Sequence, residues 1–141
     1  MNKWNKRKYS LSKFFQLSNG QWLKILFEYK NNFWTMDIVV AKTKRQCNDC
    51  INKTEFSPKI LYGKITGNKL GLEALLIAKR ELLNFEKTLH YKTNIFIFAV
   101  DDRLLNVYYR GLKNNGYKMA ELLQGKYRGK KYLCKVIYGN K

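Results

Sequence analysis

The sequence predicts a single α+β domain, and three observations lead to this class. The chain has 141 residues, of which 45% are hydrophobic and 15% aromatic, enough for one packed core. It contains one proline and no Gly/Ser-rich stretch, so we expect no linker and one domain over residues 1–141. Its second half alternates between the hydrophobic spacing of strands and that of helices.

The first half, residues 1–57, is predicted to be basic and to consist of strands, a hairpin and a polar insertion. Aromatic and aliphatic residues between positions 9 and 15 favour a short first strand. Residues 22–29 and 33–40 alternate as strands do, with successive side chains on opposite faces. Asn31 and Asn32 lie between them, and asparagine tolerates the positive φ of a tight hairpin turn. Residues 41–57 break this pattern and form either a short helix or a loop.

The second half, residues 58–141, is predicted to form the core in the order strand–helix–strand–helix–strand–strand. Residues 59–66 have the pattern of a strand. A helix follows, with Asn68 as candidate N-cap. Its apolar residues recur at steps of four and three: Gly71, Leu75, Ala78, Leu82, Phe85 and Leu89. Residues 74–78 are apolar all round, so we expect this helix to be buried on more than one side.

The rest of the core alternates in the same way. Residues 94–100 are almost continuously apolar, as in a central strand covered on both faces. Asp101 or Asp102 can cap a second helix, which Gly116 terminates in a left-handed conformation. Residues 117–123 and 131–138 form the last two strands.

The charge balance favours an anionic partner. Lysine and arginine number 28 against 10 acidic residues, a formal net charge of +18, which raises the local concentration of anions. Candidate partners are nucleic acid, a phosphorylated cofactor, an acidic protein or an anionic membrane surface, whereas the simpler explanation is an A/T-rich coding sequence. Basic residues crowd both ends of the chain, and they would form one positive surface if the ends met.

The apolar runs and the cysteines bear on the location of the protein and on metal binding. No apolar run reaches the roughly 20 residues that a membrane span needs, and no secretory signal is visible. With three cysteines and no signal, the expected location is the cytoplasm. Cys47-x-x-Cys50 has the spacing of half a zinc site, but only His90 and Cys134 remain as further ligands. Incidental thiols are therefore favoured over a metal site.

The junction between the strand at 59–66 and the following helix could hold a phosphate group. Its sequence comprises Lys64, Ile65, Thr66, Gly67, Asn68, Lys69, Leu70 and Gly71. Glycines let backbone N–H groups face a ligand, and a helix N-terminus favours an anion. The alternative is an ordinary strand-to-helix turn.

In its order of elements, its glycine-containing loop and its closing Gly116–Tyr117 pair, the stretch from about residue 59 to 138 resembles the GCN5-related N-acetyltransferase (GNAT) family. The resemblance implies a single mixed, mostly antiparallel sheet with helices on both faces. It implies acetyl-CoA as cofactor, with the coenzyme pyrophosphate held by Lys64 to Lys69 and Gly71. The family's usual glycine spacing is two, whereas Gly67 and Gly71 stand four apart.

The resemblance also implies direct acyl transfer from acetyl-CoA to an amine. Many family members carry a tyrosine, four residues before the closing glycine, that protonates the leaving thiolate. That position is Leu112 here, so Tyr108 and Tyr109 become the candidates. Glu73 is the candidate general base, with Asp37 and Glu28 as alternatives.

The alternative function is a non-catalytic basic binding protein, of a phage or another mobile element, that binds nucleic acid or an acidic host protein. Near the N-terminus aromatic residues interleave with lysines, and such rings can stack on bases. These residues are Trp4, Tyr9, Phe14, Phe15 and Trp22. Strands are also rich in aromatic residues for packing reasons, which is the competing explanation.

Overall fold

A computed structural model describes residues 5–7, 9–47, 69–89, 92–98 and 102–138 of the chain. The strands in this part are β1 (Asn5–Arg7), β2 (Ser10–Gln16), β3 (Trp22–Lys30), β4 (Phe33–Ala41), β5 (Thr93–Ile97), β6 (Lys118–Glu121) and β7 (Lys131–Ile137). The long helices are α1 (Lys69–Glu86) and α2 (Asp102–Leu112), and a 3-10 helix, Lys113–Asn115, follows α2. The predicted α+β class is confirmed.

All seven strands belong to one sheet, in the order β1-β2-β3-β4-β5-β7-β6. The β4–β5 pair is parallel and every other pair is antiparallel, so the sheet is mixed and mostly antiparallel as predicted. Parallel neighbours need a long crossover connection, and α1 lies in the segment that links β4 to β5.

The hairpin between β3 and β4 forms as the asparagine pair predicts. Its register pairs nine residues of each strand, from Trp22 opposite Ala41 to Lys30 opposite Phe33. Asn31 and Asn32 have φ values of 52° and 70°, the positive region that a two-residue hairpin turn requires.

Both long helices pack on the same face of the sheet and enclose the main core. Phe85 of α1 stacks on Phe27 of β3 with ring centroids 4.0 Å apart. From α2, Leu105, Tyr108 and Leu112 belong to the same buried cluster. Burial of such large apolar side chains is the main force that holds helices to a sheet.

The opposite face is covered near the end of β4 by one helical turn at residues 44–47. Val39 and Ala41 point to this face because Ile38 and Val40 point to the main core. Cys47 is fully buried against them, with its Sγ 3.4 Å from the carbonyl oxygen of Trp22. Helices therefore lie on both faces of the sheet, and of the two alternatives for residues 41–57 the helical one holds at 44–47.

Several predicted elements are observed with shifted ends. The helix predicted around residues 71–89 is Lys69–Glu86, followed by turns that end at the buried Leu89. The central strand is Thr93–Ile97, and Gly116 ends the second helical segment with a φ of 90°. The strand predicted at 59–66 and the N-cap Asn68 lie outside the described residues. In the part of the chain that the structure describes, no helix is long and apolar enough to cross a membrane.

The basic ends of the chain lie at opposite edges of the sheet. β1, which contains Lys6 and Arg7, forms one edge, and the β6–β7 hairpin, with Lys126 and Arg128 in its loop, forms the other. Seven strands place these edges about 29 Å apart, at about 4.8 Å per strand. In the part of the chain that the structure describes, the N-terminal and C-terminal basic residues therefore lie at separate edges of the sheet.

Candidate functional site

The parallel strands β4 and β5 are paired over only part of their length. Their register has four pairs, from Phe33 opposite Asn94 to Met36 opposite Ile97. β4 continues to Ala41 beyond the last pair, and within the described ranges β5 does not follow it. The last described pair thus lies near the carboxyl end of β5, and the carboxyl ends of parallel strands are a common place for ligand sites in α/β sheets.

A cleft of about 310 Å³ lies beside this pair. Met36 and Ile38 of β4 and Ile97 of β5 form its floor. The walls come from α1 and α2, chiefly through Leu72, Leu75, Leu76, Val107, Tyr108 and Leu112. The volume is at the lower end of the range for small-molecule sites.

The mouth of the cleft combines exposed apolar residues with positive charge. Leu72 and Leu76 are 57% and 59% exposed, although large apolar side chains on an outer helix face are normally replaced by polar ones. Lys79 and Arg110 also line the cleft, and no carboxylate does so among the described residues. Such a lining suits a ligand with an apolar or amide-containing body and an anionic end.

Gly111 leaves part of the α2 wall open. This residue lines the cleft, and a Cβ built on it would meet no atom within 4 Å. A helix interior normally avoids glycine, at a cost of about 1 kcal/mol relative to alanine. The glycine therefore widens the cleft at some expense to the stability of α2.

The three predicted catalytic residues lie in different surroundings. Tyr108 is buried and lines the cleft, whereas Tyr109 packs partly buried against the core and does not line it. Glu73 is outside the lining, and its carboxylate accepts hydrogen bonds from the backbone N–H and the hydroxyl of Ser18, at 3.1 and 2.9 Å. The structure thus brings Tyr108 to the cleft and holds Glu73 against the β2–β3 loop.

The alternative bases point to the other face of the sheet. Asp37 lies between Met36 and Ile38, which both face the cleft, so its side chain points away from it. Glu28 pairs with Thr35 in the β3–β4 ladder, and Thr35 precedes Met36, so both side chains point away from the cleft. Neither carboxylate lines the cleft.

The predicted coenzyme-binding loop falls largely outside the described residues. Lys64, Ile65, Thr66, Gly67 and Asn68 are not described, and Lys69 and Gly71 are described only as backbone of the first turn of α1. Leu72, the next residue, lines the cleft, so the first turn of α1 lies at its mouth.

The structure shows which strands lie beside β5. The GNAT resemblance implies that the strands at 59–66 and 94–100 are neighbours that separate to admit the pantetheine arm of the coenzyme. Residues 59–66 lie outside the described residues, and β4 and β7 pair with the two edges of β5 over Thr93–Ile97. The cleft lies beside Met36 and Ile38, which the sequence had not indicated as part of a site.

One feature of the sequence bears on the cleft, although by itself it predicts burial and not a ligand site. The stretch at 74–78 is apolar all round and predicted that α1 is buried on more than one side. Instead Leu76 is exposed at the cleft mouth while Ala74 and Ala78 face the core. Lys79, Arg110 and Gly111 gave no comparable signal.

A cluster of hydrogen-bonded polar side chains lies at the C-terminal end of α1. Tyr117 is 1% exposed and donates a hydrogen bond to Oε2 of Glu86 at 2.8 Å, while Nζ of Lys135 lies 2.7 Å from Oε1. Burial, and then the charge of Glu86, raise the pKa of the Tyr117 hydroxyl well above its usual value. These groups are satisfied by one another, which indicates a structural role.

The half zinc site is not completed in the described part of the chain. No group of three or more His, Cys, Asp or Glu side chains that could hold a metal ion occurs there. Cys50 and His90 lie outside the described residues, and Cys47 is buried beneath Trp22 and Val39.

Four of the five aromatic residues of the predicted N-terminal stacking surface lie in the described part of the chain. Phe15 belongs to the main core, whereas Phe14 and Trp22 pack, partly buried, beside Cys47 on the opposite face, so these three rings do not share one face. Nζ of Lys44 lies 4.6 Å from the ring centroid of Trp22. Tyr9 is 55% exposed, and Trp4 lies outside the described residues.

The chain matches no protein-family model, no curated protein and no solved structure. Its function is therefore inferred from the cleft and its chemistry.

Proposed function

We propose that the chain is an acyltransferase resembling the GNAT enzymes, which transfers an acetyl group from acetyl-CoA to a primary amine. The observation that carries this proposal is the apolar cleft between α1 and α2, beside the last described pair of the parallel strands β4 and β5. In the GNAT resemblance, the pantetheine arm of the coenzyme inserts between the neighbouring strands predicted at 59–66 and 94–100. The cleft offers an apolar site beside β5, with β4 in place of the strand at 59–66.

The cleft suits the pantetheine arm in polarity and hydrogen bonding. The arm is an extended chain with two amide groups, and its apolar segments would contact Met36, Ile38 and Leu75. Beyond Met36 the described ladder between β4 and β5 ends, and we propose that the amides of the arm pair with β4 there. An extended ligand can pair with a strand edge as an added strand does.

The charges at the mouth suit the phosphates of the coenzyme. Lys79 and Arg110 line the cleft. The described part of α1 begins at Lys69, beside the cleft mouth, and a helix N-terminus carries the positive end of the helix dipole. Together they favour an anion at the side where Leu72 and Leu76 are exposed.

The chemistry would be direct transfer within the cleft. The amine nitrogen attacks the thioester carbonyl carbon, the carbon–sulfur bond breaks, and the coenzyme leaves as a thiolate that needs a proton. Tyr108 is the residue of the cleft that can supply it. Because no carboxylate of the described residues lines the cleft, we propose that the amine loses its proton through water.

The remaining aspects of the proposal rest on charge and cysteine state. The net charge of +18 favours an amine acceptor carried by an anionic molecule, such as a nucleic acid. Cys47 and Cys134 are both free thiols, as expected for the proposed cytoplasmic location.

Coenzyme binding is tested by thermal unfolding with and without acetyl-CoA. At a hundred times the dissociation constant, a ligand adds about 2.7 kcal/mol to the free energy of unfolding. For a domain of this size, that should raise the Tm by roughly 8 °C. Leu76→Glu should abolish the shift, because it places a negative charge at the mouth. Leu123→Glu is the matched control, since Leu123 is also exposed but lies in the β6–β7 loop.

A second variant tests the position of the ligand without changing charge. Gly111→Leu fills open space in the α2 wall and should preserve folding while preventing the shift. The proposal is refuted if wild-type protein shows no stabilisation at saturating acetyl-CoA. It is equally refuted if Leu76→Glu and Gly111→Leu both retain the full shift.

The acid role is tested with the neighbouring tyrosines. Tyr108→Phe should keep the acetyl-CoA shift but lower the rate of coenzyme A release about 100-fold or more, measured with a panel of primary amines. Tyr109→Phe is the matched control and should keep the rate. The assignment fails if Tyr109→Phe, and not Tyr108→Phe, slows the reaction.

A further inference from the structure

A row of aromatic side chains crosses the sheet face opposite α1 and α2. Ile95, Ile97 and Leu133 point into the main core, so the residues between and beside them point the other way. Phe96 lies 4.6 Å from Phe33 and 5.3 Å from Tyr132, measured between ring centroids.

The row extends further and reaches solvent. Phe98 lies 5.6 Å from Tyr132, and the alternation along β7 continues on this face through Val136 to Tyr138. Val136 is 43% exposed and Tyr138 77% exposed, and the other rings are partly exposed. We call Phe33, Phe96, Phe98, Tyr132, Val136 and Tyr138 the aromatic strip. Neighbouring exposed apolar side chains of this kind mark an interaction surface.

Positive charge flanks the aromatic strip along its length. Lys118 of β6 faces it, since this residue pairs with Cys134, the β7 residue between Tyr132 and Val136. Nζ of Lys92 lies 5.8 Å from the ring centroid of Tyr138, and the exposed Arg128 belongs to the loop that leads into β7. Among the described residues of β5, β6 and β7 that point to this face, none is Asp or Glu. The acidic residues that point to it are Asp37 of β4 and Glu28 of β3, on the side of Phe33 away from the three cations.

We propose that the aromatic strip binds single-stranded nucleic acid. Bases would stack on the rings while Lys92, Lys118 and Arg128 contact the phosphates, the combination that single-strand-binding surfaces use. A duplex keeps its bases stacked on one another and cannot offer them to the rings. An acidic protein would contact the cations alone, and the row of aromatic rings would then have no binding partner.

This surface is distinct from the proposed coenzyme site. The cleft lies among the two helices on one face, whereas the aromatic strip lies on the other face. Nucleic-acid binding can therefore be measured without acetyl-CoA, and either proposal can fail while the other stands.

The test is fluorescence anisotropy with a fluorescein-labelled 12-nucleotide oligouridylate, at 50 and 200 mM salt. Tyr138→Ala and Tyr132→Ala should each weaken binding about tenfold, the size expected for losing one stacked base. Tyr132→Phe should bind as wild type, because the ring is kept. Tyr9→Ala is the matched control, since Tyr9 is 55% exposed near the opposite edge of the sheet.

Folding of the variants is checked by thermal melts, and Tyr138 is exposed enough that its truncation cannot disturb the core. The proposal is overturned if Tyr138→Ala and Tyr132→Ala bind as wild type, or if a duplex of the same length binds as well as the single strand. It is also overturned if the protein sediments as a dimer that Val136→Asp dissociates, because a second copy would then cover the aromatic strip.

Discussion

Replacing Tyr117 by phenylalanine should destabilise the protein in a way that depends on pH. Tyr117 is 1% exposed, and its hydroxyl donates to Oε2 of Glu86 at 2.8 Å. The substitution removes one oxygen and keeps the ring in place. It leaves Glu86 with the ion pair to Lys135, at 2.7 Å, as its remaining contact in this cluster.

The expected loss follows from the nature of the hydrogen bond. Hydrogen bonds to charged groups contribute about 1.5–3 kcal/mol when the partner is left buried. Because Glu86 keeps Lys135, we take about 2 kcal/mol at pH 7, in the lower half of that range. A domain of this size loses roughly 3 °C in Tm for each kcal/mol, so the melting temperature should fall by roughly 6 °C.

The pH dependence follows from the raised pKa of Tyr117 in the folded chain. In the unfolded chain the tyrosine ionises near its usual value of about 10, whereas the folded protein keeps it protonated. The stabilisation is therefore fully present below pH 10 and is lost as pH rises towards the folded pKa. By pH 11 the wild-type protein should lose about 1.4 kcal/mol that Tyr117→Phe does not lose.

The measurement is urea unfolding of both proteins between pH 7 and pH 11. The difference between their free energies of unfolding should shrink from about 2 to about 0.6 kcal/mol. Every other titrating group is present in both proteins, so its effect cancels in this difference. Tyr138→Phe, at an exposed position, is the control and should match wild type throughout. A difference below 0.5 kcal/mol at pH 7, or one that stays constant to pH 11, would refute the reasoning.

Two other substitutions test backbone strain and a partly buried ion pair. Gly116→Ala should cost about 1–2 kcal/mol, because φ is 90° and the new Cβ would lie 3.0 Å from Cε of Lys135. Gly20→Ala, at a φ of 88° with open space around it, should show in thermal melts only the loss of stability that comes from the positive φ. A Gly116→Ala protein as stable as wild type would contradict the strain argument. Lys13→Met should cost about 2 kcal/mol, because it removes the 3.0 Å partner of Glu81, a side chain only 8% exposed, and leaves Arg80 at 3.2 Å as its remaining cation. Adding Glu81→Met should recover most of that loss in urea unfolding, and no recovery would show that the pair is not the cause.

The elements that the sequence predicted well depend on local signals. The turn at Asn31 and Asn32 needs only two residues that tolerate positive φ, and both are found there. The periodicity of α1 and the stop at Gly116 are likewise properties of short segments. Each could be inferred without knowing what the segment packs against.

The candidate site could not be predicted in the same way, because it depends on strand pairing across more than fifty residues. Any apolar strand could have been the neighbour of β5, and residues 59–66 were as suitable by pattern as β4. The pairing of β4 with β5 determines that Met36 and Ile38 form the cleft floor. The contact of Glu86 with Tyr117 and Lys135 joins three separate segments, and no spacing in the sequence announces it.

The four-pair ladder between β4 and β5 divides the sheet into two antiparallel halves with few hydrogen bonds between them. By comparison, β3 and β4 share nine pairs. We call this β4–β5 ladder the seam. Helix α1 spans the seam, since Glu81 binds Lys13 on one side of it and Glu86 binds Lys135 on the other. Local opening should therefore start at the seam, and the amides of β5 should exchange with solvent faster than those of β3. A ligand wedged between β4 and β5 would slow that exchange, so α1 and the ligand would act together to keep the two halves joined.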